Sequence, residues 1–182
     1  YKMQENFQLN KKLNIKEIII ENNSIIQNSS IEKSLSQLYE TNLLKLNKKK
    51  ISNELKGLNF VDGFEVKKIY PNKLKLRIFE KEPIAIIHHK DEKKYFTNKS
   101  ELIDFTELEK FKQLPLVFGD GEKFEILYLN LKKNKFPLDE IKKFYLFETN
   151  RWDLVTKKNQ IIKLPAKDYI KSLENFIFLK DR

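Results

Sequence analysis

FVDGFEVKKIYPNKLKLRIFEKEPIA, from Phe60 to Ala85, reads as two strands joined by a tight turn and closed by a proline. Leu74, Leu76 and Ile78 alternate with Lys75, Arg77 and Phe79, the period of a strand with one buried face. Phe64 and Val66 alternate with Glu65 and Lys67 in the run before it. Pro71-Asn72-Lys73 supplies the turn, because the ring presets φ and asparagine tolerates the sharp position that follows. At Glu80-Lys81-Glu82-Pro83 the pairing stops, since proline removes a ladder donor and restricts the residue before it.

Upstream of this hairpin, Leu13 to Glu21 is β-branched and partly alternating, a first strand that turns at Asn22-Asn23-Ser24. A short extended piece at Ile25-Ile26 leads to a helix capped by Ser29 or Ser30, with Ile31, Leu35 and Leu38 on one face. Leu43 to Leu46 links it to a second helix, Asn47 to Leu58, in which Ile51, Leu55 and Leu58 recur and Gly57 suits the C-terminal cap. The order is β-α-α-β-β, with two helices on one face of a three-stranded sheet.

Downstream, the pattern predicts strands at Ile84–His88, Lys94–Thr97, Leu102–Ile103 and Leu114–Gly119. A helix follows over Glu122–Leu131, with Phe124, Leu127, Tyr128 and Leu131 aligned. Ile141–Glu148 and Trp152–Lys157 form an antiparallel pair turned at Thr149-Asn150-Arg151. Lys158-Asn159-Gln160 turns again into Ile161–Leu164, and Asp168–Leu179 is a last amphipathic helix. The expected class is α+β: a β-α-α-β-β domain, then a mostly antiparallel β domain with flanking helices. Residues 1–12 read as a polar lead-in, 13–83 as the first domain and 84–182 as the second.

The chain has 182 residues, 40% hydrophobic and 12% aromatic, enough apolar material for folded domains. Its 36 basic and 26 acidic residues give a net charge of +10, which favours nucleic acid, anionic lipid or an acidic protein partner without choosing among them. Lysines are interspersed with acids, and the densest run, Lys48-Lys49-Lys50, is short, so a solvated basic surface is the simpler reading. With no cysteine, disulfides, thiol nucleophiles and thiolate metal sites are excluded. No apolar run approaches the ~20 residues needed to cross a bilayer.

The inventory for catalysis is thin. His88-His89 is the one histidine pair, and adjacent strand residues point to opposite faces, so the two rings cannot share one metal without a bend. Asp104, Glu107 and Glu109 sit in a polar connection. No Ser-His-Asp spacing, glycine elbow or phosphate loop is present. The reading is therefore of a protein that is not an enzyme and needs no cofactor or metal.

The residues resemble the FtsQ/DivIB family of bacterial division proteins. Val66, Lys67, Lys68, Pro71 and Leu74 are similar to a pattern of that family's POTRA (polypeptide-transport-associated) domain, and Glu80, Lys81, Pro83 and Ala85 to its ending. Further on, Leu114 to Gly121 (LPLVFGDG), Arg151 to Leu154 (RWDL) and Ile161 to Pro165 (IIKLP) resemble segments of its β domain. Asn22-Asn23 stands where the family usually has glycine, and asparagine also accepts left-handed backbone. The family's turn near Asn98 to Glu101 has no glycine here.

What the resemblance implies is a non-enzymatic scaffold in the periplasm, tethered to the bacterial inner membrane by a single N-terminal helix that this chain lacks. It would bind bitopic partners of the FtsB and FtsL type and help control septal peptidoglycan synthesis. The family's further C-terminal strands are expected beyond Arg182. The means of binding would be strand addition at Glu65, Lys67, Lys68, Ile69 and Tyr70, the free edge if Leu74–Ile78 is central. Lys67 and Lys68 would protect that edge against self-pairing and favour acidic partners. Arg151, beside Trp152, would capture partner carboxylates, although core packing is the simpler reading of the tryptophan. The alternative is a POTRA-containing outer-membrane assembly or transport factor that binds unfolded substrates by the same edge pairing. A third reading, nucleic-acid binding, would show as strongly salt-dependent association.

Overall fold

The computed structural model describes residues 12–180. The lead-in expected over residues 1–12 lies, except for Lys12, outside the described residues. Two compact units divide between Lys81 and Glu82.

The first unit holds β1 (Glu17–Glu21), α1 (Asn28–Ser34), α2 (Lys48–Leu55), β2 (Val61–Ile69) and β3 (Lys73–Glu80). The sheet order is β1-β3-β2, with β3 parallel to β1 and antiparallel to β2. Leu74, Leu76 and Ile78 are fully buried against Ile31, Leu35, Ile51 and Leu55. Burying such side chains is worth about 1.5–3 kcal/mol each, which fixes the β3 register, because a slip of one residue would turn the charged set inward. The opposite face pairs Lys73 with Glu17 and Lys75 with Glu21, each at 2.7 Å.

Several local expectations need correction. Helix α1 is capped at Gln27 without a side-chain bond, so neither Ser29 nor Ser30 caps it, and both lie inside it. Leu35 and Leu38 fall beyond the α-helix, Leu38 in a 3-10 turn over Ser36–Leu38. Ile25-Ile26 is a bend, not an extended piece. Helix α2 starts as expected, with the Asn47 side chain accepting from the Lys50 N–H, but it ends at Lys56 in right-handed backbone and makes no left-handed glycine cap at Gly57. The hairpin turns through a cis Tyr70-Pro71 bond, and left-handed backbone falls instead at Asn22, φ 67°. Asn150 and Asn159 take the same conformation in the second unit, so asparagine does the work of glycine in this glycine-poor chain.

The second unit is a seven-stranded mixed sheet. It contains β4 (Pro83–His89), β5 (Glu92–Thr97), β6 (Leu102–Asp104), β7 (Leu116–Phe118), β8 (Ile141–Leu146), β9 (Trp152–Thr156) and β10 (Ile161–Leu164). Their order is β10-β9-β8-β7-β4-β5-β6. Two antiparallel meanders, β4-β5-β6 and β8-β9-β10, are joined by β7, which is parallel to both β4 and β8. Helix α3 (Gly121–Lys133) connects β7 to β8, its N-terminus capped by Asp120 accepting from the Glu122 and Lys123 N–H groups. Helix α4 covers Tyr169–Lys180. Phe124, Leu127 and Leu131 of α3 and Leu173 of α4 pack with Val117, Phe144, Trp152 and Leu154 in one core. At the glycine-free turn, Ser100 adopts φ 63°, and the Thr97 hydroxyl accepts from the Lys99 and Glu101 N–H groups.

Candidate partner-binding edge

Strand β2 pairs with β3 and with no other described strand, so alternate N–H and C=O groups along it have no ladder partner. Its side chains divide between two faces. Phe64, Val66 and Lys68 stand opposite Ile78, Leu76 and Leu74 on the helix side, while Glu65, Lys67 and Ile69 stand opposite Arg77, Lys75 and Lys73 on the open side. A groove of about 830 Å³ runs beside the strand, lined by Leu46, Lys48 and Ile51 towards the helices and by Lys67, Lys75 and Arg77 on the other side. Lys48 Nζ lies 5.5 Å from the Phe64 ring centre and closes over part of this apolar strip.

Of the residues expected at this edge, Glu65, Lys67 and Tyr70 are exposed and Ile69 is half-buried. Lys68 differs from its neighbour. Its ammonium donates to the Leu46 carbonyl at 2.7 Å, just before helix α2, and ties the strand to the helix layer. Period-two alternation had already placed Lys68 on the face of Val66, so the signal for this role was present.

Arg151 and Trp152 belong to the second unit. The Arg151 guanidinium bonds Asp153 through Nε at 3.0 Å and Nη2 at 3.3 Å, and it lies 4.4 Å from the Phe147 ring centre. Asp153 is 8% exposed, so Arg151 neutralises a carboxylate of its own sheet. The Trp152 ring is 6% exposed and sits 6.1 Å from Phe124, in the core rather than on a docking surface. Arg151→Ala is therefore expected to destabilise the second unit by about 1–3 kcal/mol, by leaving Asp153 without its charged donor. Urea unfolding followed by fluorescence of Trp152 measures it.

His88 and His89 point to opposite faces of β4. His88 faces Lys93 across the hairpin and lies 5.2 Å from the Phe118 ring, which itself stacks on Tyr145 at 4.8 Å. Burial, and then the Lys93 charge, hold the His88 imidazole below its ordinary pKa. Among the described residues no group of three or more His, Cys, Asp or Glu could hold a metal ion.

Glu80, which the sequence marks only as part of the ending of the hairpin, locks the first unit together. The Glu80 carboxylate accepts from the backbone N–H of Ser24 (2.8 Å), Ile25 (2.9 Å) and Ile26 (2.7 Å) and from the Ser24 hydroxyl (3.0 Å). Partial burial pushes this carboxyl up, but the Ile26, Ser24 and Ile25 N–H groups together outweigh it and hold the pKa below the ordinary glutamate value.

Residues 13–81 match the family described as "POTRA domain, FtsQ-type", so the first unit is a domain of that kind. Over more of its length the chain is similar to proteins named "Cell division protein FtsQ". That of Rickettsia typhi is 29% identical over 178 residues, covering 92% of this chain and 64% of the relative. That of Rickettsia prowazekii is 29% identical over 168 residues, covering 88% and 60%, and that of Caulobacter vibrioides 25% over 120 residues, covering 65% and 40%. The chain thus spans about three-fifths of the length of the Rickettsia relatives. Most of the chain resembles the FtsQ/DivIB family, and its first unit matches the POTRA model of that type. A solved structure, the major extracytoplasmic domain of the division protein DivIB from Geobacillus stearothermophilus, overlaps 54% of this chain and 89% of its own, at 11% identity and a TM-score of 0.35. No described helix is long and apolar enough to cross a membrane.

Proposed function

We propose that this chain is the periplasmic part of a non-enzymatic division scaffold, which binds bitopic partners of the FtsB and FtsL type and through them helps control septal peptidoglycan synthesis. The observation that supports this most is an FtsQ-type POTRA unit with one long strand, β2, unpaired along its outer side. An incoming segment hydrogen-bonds to that side and becomes a fourth strand, its affinity coming from the main chain and its selectivity from alternate side chains. A single-pass anchor in the inner membrane, as the family resemblance implies, would hold this edge where partner ectodomains can reach it.

Mixing the protein with the periplasmic part of an FtsB-type partner is expected to slow amide hydrogen exchange in residues 61–69, with little change in β3, which is paired already. Binding that protects only the second unit, or no binding by the full-length protein, would reject docking at β2.

A further inference from the structure

The cross-strand pairs of the first unit leave one charge unanswered. On the open face, Lys67 lies directly opposite Lys75, a like-charge pair that weakens the β2-β3 ladder. Lys75 has a counter-charge in Glu21 at 2.7 Å. Glu65, the next residue on that face, stands opposite Arg77. Lys67 makes no ion pair among the described residues and is exposed on the unpaired side of β2. The helix that borders the groove adds to the imbalance. Its first turn is Lys48-Lys49-Lys50, three cations at the end where the helix dipole is already positive, an arrangement that costs helix stability. Between these charges, the half-buried Val66 offers apolar surface on the helix side, backed by the buried Leu46 and Ile51.

We propose that the β2 groove selects an extended protein segment carrying the triplet apolar–acidic–apolar, with its carboxylate set opposite Lys67. Strand periodicity then turns the two apolar side chains toward Val66 and α2 while the acid stays on the open face. The carboxylate supplies the counter-charge that Lys67 lacks, so the segment offsets its repulsion with Lys75 as well as completing the ladder. The polarity is local. The same strand carries Glu65 two residues away, so a uniformly acidic segment is disfavoured at that position and the register is set by one residue. A nucleic acid strand fits less well, because the groove's free groups are peptide donors and acceptors in a line and Phe64 is already covered by Lys48.

This inference rests on strand addition at β2, and the test separates the two. Two synthetic peptides, Thr-Thr-Val-Glu-Val-Thr and its counterpart with lysine for glutamate, are titrated into the whole chain by calorimetry, with hydrogen exchange read over residues 61–69. The acidic peptide is expected to bind about three- to tenfold more tightly than the basic one. Lys67→Glu, an exposed substitution on a free edge, is expected to invert that order. Equal binding of both peptides with protection of residues 61–69, unchanged in Lys67→Glu, overturns the charge selection and leaves strand addition standing. Protection of β2 by neither peptide overturns both. Displacement of the acidic peptide by a single-stranded oligonucleotide overturns the choice of a protein ligand. Self-association abolished by Lys67→Glu reassigns the groove to a second copy of this chain.

Discussion

Glu80→Ala is expected to lower the stability of the first unit by about 3 kcal/mol. The substitution strips a charged acceptor from three consecutive backbone N–H groups, Ser24, Ile25 and Ile26, and from the Ser24 hydroxyl. Hydrogen bonds to a charged group contribute roughly 1.5–3 kcal/mol each, and water reaching this half-buried site recovers part of the loss. Glu80→Gln keeps one acceptor oxygen and is expected to cost less.

The pH dependence has a definite sign. The folded-state pKa of Glu80 lies below its unfolded value, so its contribution is complete above the unfolded value and disappears as pH falls through the folded one. In Glu80→Gln that acid-dependent loss should be missing. Urea unfolding of the whole chain at several pH values, read by amide exchange in β3, measures both effects. A midpoint for Glu80→Ala indistinguishable from that of the unaltered chain would show that the Ser24–Ile26 turn is held by other contacts.

The second large effect is expected at Gly119, at the end of β7. A Cβ built there would lie 2.6 Å from the Leu146 Cβ and 3.2 Å from its Cδ2, and the backbone φ of 157° is one that L side chains rarely adopt. Gly119→Ala must push β8 away or twist β7 out of its parallel register, and is expected to cost about 3–4 kcal/mol from crowding and backbone strain together. Leu146→Ala is a revealing partner. It removes the Cδ2 contact but keeps the Cβ at the shorter distance, so the double variant should recover little. Trp152, the one tryptophan of the chain, lies in the same core and reports unfolding of this unit by fluorescence. Full rescue by Leu146→Ala would mean that the strands relax around the added methyl group.

The first unit was legible because its decisive signals are short-range. Leu74, Leu76 and Ile78 alternate without interruption, and a buried face permits a single register. Asn47 sits where a helix cap should. The errors came where local chemistry lost to context: Ser29 and Ser30 are good capping residues, but the helix begins one or two residues before them. Glu80 could not have been recognised as a lock, since its donors are 54–56 residues away in sequence and nothing in a local pattern links them. Arg151 was read as a captor of partner carboxylates, and the carboxylate of Asp153, two residues along at the start of β9, was overlooked as its intrachain partner. In the second unit the strands themselves could be read, while their order could not. Periodicity reports which face of a strand is buried and is silent on which neighbour lies beside it.

Strand β7 has three residues, Leu116–Phe118, yet it stands at the waist of a seven-stranded sheet. Each meander on either side can zip up from chain neighbours joined by brief turns, whereas the waist needs β7 to arrive parallel to both, one of them reached only after the excursion through α3. Closing distant loops is slow compared with closing near ones. The second unit would therefore assemble as two half-sheets that wait for a common middle rung, and the glycine next to that rung governs how closely the halves can meet.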